Sequence, residues 1–568
     1  FLLCGGLVNA SNLVSKTNTL IGTQGNGWAS GYLYPGATYP FGMVQFTPTY
    51  FTKQLGFVIN QLSGAGCDHM GNFPTLPVAG ALRVSPDSIL NMQTPVGKEI
   101  GTAGYYAATV DHSIRAELTV TERTGMARYT FSSKEKQGTV IIGGGVAATP
   151  IQVAAIKITG PHSCEGYAEG GAFCGIPTPY KVYFVAEFDA DAESFGTWKE
   201  ERLHANHTFA EGSHSGVYFT FPLKEGNQAV QYKIGVSYVS VENARENLRV
   251  ENPAWDFSAV RQATQDKWNE YLGKIEVEGD NEDRQMQFYT HLYRSLIHPN
   301  VCSDVNGEYM GADSQVHKTA RKFYTSFSNW DTYRTQTALI AMLAPEETSD
   351  IVMSHYLFAE QSGGGFPRWV LANIETGVMQ GDPTPILVAN AYAFGARNYD
   401  PRTLLRTMRY GAEVPGANSQ GVLTRPGLEQ YLEKGYYDAS ILLEYTSSDF
   451  AIGRFALQAC NDEPVCNWYT QRAMNWKNLF NKETGWLQSR NEDGSWKRYD
   501  ADWRESTYKN YFWMVPYDLQ GLIDSIGGKE AAEKRLDEMF RRLDASYGDE
   551  WFASGNEPSF QIPWIYNW

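Results

Sequence analysis

Two periods of hydrophobicity divide this chain. From about residue 25 to 255, apolar and polar positions alternate, most clearly at 106–110, 116–120, 127–131, 181–185 and 217–221. Gly, Pro, Asn and Asp punctuate these runs, so each predicts a half-buried strand of an antiparallel sandwich. Beyond residue 255 the period becomes 3.6. Tyr289, Leu292, Tyr293, Leu296 and Ile297 share one helical face, and the same spacing recurs at 337–343, 351–358, 386–394, 404–408 and 450–457. Further helices are expected within 468–480, 517–526 and 529–543.

The expected organisation is a leader at 1–17, an N-terminal antiparallel β-sandwich at 18–253, a linker helix within 254–282 and a helical domain at 283–568. A sandwich followed by helix pairs resembles enzymes built on an (α/α)6 toroid. That fold needs about twelve helices where about ten are legible, so the toroid reads as incomplete at its C-terminus.

Composition narrows the function classes. With 47 basic against 63 acidic residues the net charge is −16, which repels nucleic-acid backbones and anionic lipid. No run of 18 apolar residues offers a membrane-spanning helix. Aromatic residues make up 14% of the chain. Aromatic rings flanked by carboxylates suit sugars, although large aromatic cores would give the same composition.

Phe1 to Val8 reads as the tail of a signal sequence, with Val8-Asn9-Ala10 resembling a cleavage site, so secretion, the periplasm or the cell surface is expected. The aromatic run ending at Trp568 makes the chain read as a fragment. Sequence proximity favours two local disulfides, Cys164–Cys174 and Cys460–Cys466. Cys67 stands in Gly66-Cys67-Asp68-His69, where a nucleophile or a metal ligand is conceivable but no ligand spacing supports either. Asn206-His207-Thr208 is a glycosylation sequon.

Loops of the helical half concentrate acids beside tryptophans: Trp330-Asp331-Thr332-Tyr333-Arg334, Gly365-Phe366-Pro367-Arg368-Trp369 with Gly381-Asp382, Trp503-Arg504-Glu505 and Gly555-Asn556-Glu557-Pro558. Glycoside hydrolysis needs two carboxyls, one to protonate the leaving oxygen and one to activate water or attack carbon. Each acid has a plainer alternative: Asp331 as a helix N-cap, Glu557 as a first-turn acid and Glu505 as the partner of Arg504.

Trp330-Asp331-Thr332-Tyr333-Arg334 and Gly555-Asn556-Glu557-Pro558, with Gly36-Ala37-Thr38-Tyr39-Pro40-Phe41-Gly42-Met43-Val44-Gln45, Gly66-Cys67-Asp68 and Arg490-Asn491-Glu492-Asp493-Gly494-Ser495-Trp496, resemble glycoside hydrolase family 92 in order. The resemblance implies an inverting, calcium-dependent exo-α-mannosidase acting on mannose-containing glycans. It implies Glu505 as general acid; Cys67, Asp68, Trp330 and Asp331 as residues lining the sugar site; and Glu557 and Gln561 beside Ca2+. Arg368, Asp382 and Asn556 join the substrate-binding candidates from the same loops. Burial beside Tyr511 and Trp513 would keep Glu505 protonated. Ser506, Lys509-Asn510 and Ser559-Phe560 depart from the family pattern. The family's base lies in a Gly-Asn-Asp-Asp motif absent from this sequence, which places it beyond Trp568. Alternatives are a mannose-1-phosphate diester hydrolase, an inverting glycoside phosphorylase with Arg334 and Arg368 binding phosphate, and a mannose-binding fragment. Asp304-Val305-Asn306-Gly307 looks like an EF-hand start, but Gln315 stands where that loop needs a bidentate Glu, so calcium is not expected there.

Overall fold

The computed structural model describes residues 12–23, 31–49, 56–87, 96–225, 228–542 and 545–568. The expected leader lies mostly outside them. Its last part does not: Leu13–Lys16 forms a 3-10 turn with Leu13 and Val14 buried, and the Val14 N–H donates to Asn269 Oδ1 at 3.0 Å. Residues 12–17 are therefore part of the folded body.

The chain forms two compact units, 1–310 with 316–326, and 311–315 with 327–568. The first holds two antiparallel sheets. In strand order one runs Ala37–Thr38, Gln45–Pro48, Phe57–Val58, Thr75–Ala79, Gln137–Gly143, Ser215–Pro222, Ser194–Lys199, Arg202–Ala205. The other runs Phe209–Glu211, Ile151–Gly160, Ser163–Phe173, Ile176–Phe188, Ala229–Ser237, Thr124–Thr130, Ile114–Val120, Tyr105–Val110, Val96–Thr102. All five predicted strands are present. Their inward positions build an aromatic core in which Phe57 stacks on Tyr129 at 6.4 Å and Phe188 meets Phe219 at 5.0 Å, joining the two sheets. In the long strand Ser163–Phe173 burial alternates residue by residue along most of its length, as a strand with one inward face requires.

Three helices follow the sandwich: Val241–Glu251, which was not expected, and then Phe257–Leu272 and Glu282–Ser295, where the linker helix and the first 3.6-period face were. Each is started by a side-chain cap, from Ser240, Asp256 and Asn281 respectively. Ala244 and Leu248 pack on Val185, and Phe257 on Tyr105, Ala107 and Met126, so these helices belong to the first unit.

The cysteine pairing also differs from expectation. Cys67 bonds Cys174 across 107 residues, while Cys164, Cys302, Cys460 and Cys466 are free and buried. Strand Ser163–Phe173 separates Cys164 from position 174 by about 33 Å of extended chain, far beyond disulfide reach. Cys460 ends one helix inside the helical core, whereas Cys466 sits on the next helix with its sulfur 3.9 Å from Thr470 Oγ1.

In the second unit, among the described residues, nine helices of seven residues or more surround one core, including Pro345–Gln361, Thr384–Ala393, Pro401–Glu413, Ala439–Cys460 and Glu463–Ala473. The antiparallel sandwich followed by a helical catalytic unit is the architecture read from the sequence. Helix Ala439–Cys460 is buried on nearly every side, and its polar residues Glu444, Ser448 and Asp449 are inaccessible to solvent. No helix of the described residues is long and apolar enough to cross a membrane.

Candidate active site

The loops and short helices of the second unit bring Asp331, Glu505 and Glu557 into one electrostatic cluster. Glu505 lies in the loop before the short helix Tyr508–Tyr511 and takes a left-handed backbone, φ +46°. A side chain with a Cβ adopts that region at a cost of about 1–3 kcal/mol, so its surroundings must hold it there. Asn556 does so: its buried Nδ2 donates to the Glu505 carbonyl at 2.6 Å and reaches Glu505 Oε2 at 3.4 Å. Asn556, a candidate for sugar contact by sequence, is thus a clamp on the acid. Arg504 is exposed, and Asn556, not Arg504, is the side chain that meets Glu505.

Asp331 lies inside the short helix Asn329–Thr332, whose N-cap is Ser328, so it is not a capping residue. Enclosure by the protein, followed by the negative charge of Glu557, raises its carboxyl to about 8; the Ser328 hydrogen bond and the Arg334 charge oppose this, and Glu505 adds to it. Glu557, at the start of the turn Glu557–Ser559, is raised first by burial, with Glu505 contributing and Arg334 opposing. Three carboxyls that repel one another, with one guanidinium nearby, leave negative charge uncompensated.

That deficit suits a hard cation. Gln561 donates its Nε2 to the Pro558 carbonyl at 3.0 Å, which leaves its amide oxygen as the end to meet a metal. Among the described residues no three His, Cys, Asp or Glu side chains stand together closely enough to hold a metal ion. Calcium accepts six to eight oxygens, including amides, backbone carbonyls and hydroxyls, so Glu557 and Gln561 fit as part of such a set.

Other candidates are committed to protein partners. Trp330 is fully buried and donates its indole N–H to Glu444 Oε1 at 3.0 Å, so it offers no face to a ligand. Arg368 is buried, its Nε and one terminal nitrogen each donating at 3.0 Å to the carbonyls of Gly381 and Leu423. Asp382 is paired with Arg425 at 2.8 Å, and Arg425 also binds Asp449. Arg334 is likewise engaged, one terminal nitrogen donating to Glu444 Oε1 at 2.9 Å. Cys67 and Asp68 belong to the first unit; the disulfide removes the Cys67 thiol as a nucleophile or metal ligand, and the half-buried Asp68 is raised by burial. Tyr511 and Trp513, expected to bury Glu505, are themselves core: Trp513 donates to Met539 Sδ at 3.3 Å, and Glu505 is only partly covered.

Sequence reasoning missed Glu444. Its carboxylate accepts from Trp330, from the Tyr333 hydroxyl at 2.9 Å and from Arg334 at 2.9 Å, with the Tyr511 hydroxyl at 3.4 Å. The one available signal was an acid inside a helix otherwise rich in apolar and small residues.

Comparison with known proteins places these features. Among curated proteins, an uncharacterized secreted glycosidase of Arthroderma benhamiae is 25% identical over 653 residues, spanning 98% of this chain and 77% of its own. A family GH92 alpha-mannosidase from Bacteroides thetaiotaomicron superposes with a TM-score of 0.88 at 25% identity, covering 98% of this chain and 78% of that one. A family GH92 inverting mannosidase from Bacteroides thetaiotaomicron VPI-5482 superposes at 0.87, again at 25% identity, with coverages of 98% and 80%. Residues 17–237 match the glycosyl hydrolase family 92 N-terminal domain and residues 243–568 the family's catalytic domain, so the chain belongs to glycosyl hydrolase family 92.

Proposed function

We infer that this glycosidase is an inverting, calcium-dependent exo-α-mannosidase with Glu505 as general acid. The observation that carries the reading is the convergence of Asp331, Glu505 and Glu557, with Glu505 locked in a strained backbone by Asn556. Strain of this kind concentrates at functional positions. The mannosidase neighbours support the choice of sugar.

In this reading Glu505 protonates the glycosidic oxygen as the bond breaks, a contribution of roughly 10²–10⁴-fold. Asp331, its carboxyl raised by burial and by the charge of Glu557, stands in the same cluster to meet a sugar hydroxyl. Glu557 and Gln561 would hold the calcium ion, which when bound polarises vicinal sugar hydroxyls. Inversion needs a second carboxylate to activate water. We assign that role to neither Asp331 nor Glu557, because the family's Gly-Asn-Asp-Asp segment is absent from this sequence.

The test uses the natural gene product on α-mannobiose and an aryl α-mannoside, with the first-formed anomer followed by NMR. Release of β-mannose first is expected; α-mannose first overturns inversion, and no release overturns the mannosidase reading. Exhaustive chelation is expected to abolish turnover and added calcium to restore it. An enzyme indifferent to chelation removes the metal from the reading.

A further inference from the structure

The Glu444 carboxylate has no exposed surface, and four side chains converge on it: Trp330, Tyr333, Arg334 and Tyr511. It sits in the second turn of helix Ala439–Cys460, between Leu443 and Tyr445, with all three fully buried. A carboxylate there is costly to enclose and is sustained by its partners. Those partners come from two separate segments. Trp330, Tyr333 and Arg334 belong to or directly follow the helix that carries Asp331, and Tyr511, six residues after Glu505, ends the short helix Tyr508–Tyr511. The packing around the carboxylate is equally specific. Gly381 has φ +77°, and a Cβ there would lie 2.6 Å from Glu444 Cβ, so a third loop is shaped around this side chain.

Arg334 shows why a charge is needed. Its guanidinium lies over the Trp330 ring at 4.7 Å and the Tyr333 ring at 4.6 Å, with Met514 Sδ 3.3 Å from one nitrogen. Among the described residues its ion-pair partner is Glu444, at 2.9 Å. Without that carboxylate the buried guanidinium would be left to the neighbouring acids of the site.

Building on the reading of Glu505 and Asp331 above, we propose that Glu444 is the positioning residue of this site: it gathers Trp330, Tyr333, Arg334 and Tyr511 and so fixes the Asp331 turn relative to the Glu505 segment. It touches no substrate. A displacement of about 1 Å in such a constellation can lower turnover about 100-fold.

The first arm of the test does not depend on the substrate. Crystal structures of the natural protein and its Glu444→Gln variant are compared, and the 329–334 turn is expected to shift relative to Glu505. An unchanged turn overturns the proposal, whatever the enzyme acts on. A shifted turn in a protein whose wild type never releases mannose supports the proposal while removing the mannosidase reading.

The second arm separates positioning from mere stability, and it serves also if Glu444→Gln does not fold. Trp330→Phe removes the indole donor on the Asp331 side and shrinks the ring under Arg334, and Tyr511→Phe removes only the hydroxyl on the Glu505 side. Trp330→Phe is expected to weaken mannose binding several-fold at unchanged stoichiometry, and to lower kcat/KM equally on mannobiose and an aryl mannoside. Tyr511→Phe is expected to leave mannose binding in place and to fall harder on mannobiose. A carboxylate that serves stability alone would instead lower the fraction of active protein in both variants, with unchanged Kd and KM, and that result overturns the proposal.

Discussion

Two enclosed aspartates, one in each unit, show how differently this molecule uses the same side chain. Asp304 is 3% exposed, and its oxygens receive the Ser237 hydroxyl at 2.6 Å, Asn243 Nδ2 at 2.9 Å and Asn247 Nδ2 at 2.6 Å. Burial raises it, and those neutral donors pull it back. Asp331 is pushed to about 8, with Glu557 and Glu505 both adding to the effect of burial. One carboxyl is satisfied from every side; the other faces its own kind. The first pattern ties strand Ala229–Ser237 and helix Val241–Glu251 to the 304 loop, and it leaves no oxygen for the EF-hand role that the local sequence mimics. The second wastes folding energy unless a ligand or cation completes it.

The sharpest way to break this contrast is to replace the acid of the unsatisfied cluster. Glu505→Gln in the natural gene product is expected to lose about 10²–10⁴-fold in kcat/KM on mannobiose, and markedly less on an activated aryl mannoside whose leaving group needs little protonation. Mannose binding should change little. Equal, severe losses on both substrates would point away from acid catalysis.

Acidification probes the satisfied unit. His69 Nε2 accepts the Leu62 N–H at 2.8 Å while Nδ1 faces the Cys67 carbonyl, and His298 Nε2 accepts the Ser63 N–H at 2.9 Å while Nδ1 faces Asn300 Oδ1. Both arrangements require a neutral ring, and burial holds both histidines at about 4 against an ordinary 6.5. Between those values the unfolded chain binds protons that the folded chain refuses, so stability falls as pH drops from 6.5 to 4 and is constant with respect to these groups above 6.5. The loss is about 3 kcal/mol for each histidine. Denaturant midpoints of the first unit that stay flat over this window would contradict the neutral assignment.

A paired substitution tests the contrast directly, with smaller effects. Asp304→Asn puts an amide N–H among donors and is expected to cost about 1–3 kcal/mol of stability with turnover per folded molecule unchanged. Asp331→Asn is expected to leave Tm unchanged or raise it, because it removes a repelled carboxyl, while kcat/KM falls. The opposite pairing of effects in calorimetry and kinetics would dissolve the distinction between the two aspartates.

The same contrast explains what the sequence disclosed. Strands such as Ile114–Val120 were legible because one face is core and the other is not, which imposes a period of two. Helix Val241–Glu251 escaped notice because it follows the last strand after a short Ser-capped turn, and polar Asn243 and Asn247 occupy its buried face to serve Asp304. Glu444 was hidden for a related reason: helix Ala439–Cys460 is buried nearly all round, so no apolar stripe separates its inner residues from its outer ones. The acids at 331, 505 and 557 were visible as residue types in motifs, but the commitment of Trp330, Arg368 and Asp382 to interior partners depends on contacts distant in sequence.

The link between Cys67 and Cys174 has a practical consequence for anyone producing the protein. It spans 107 residues, and loop-closure entropy for a span of that length is worth about 4–5 kcal/mol to the folded state in the chain-entropy account. Material expressed in a reducing cytosol starts without that contribution. Four buried thiols stand ready to pair wrongly if oxidation comes late, during unfolding or storage. Export to an oxidising compartment during synthesis is therefore the sound route to active protein, and two fewer thiols after denaturation than after denaturation with reductant is the quality check for each batch.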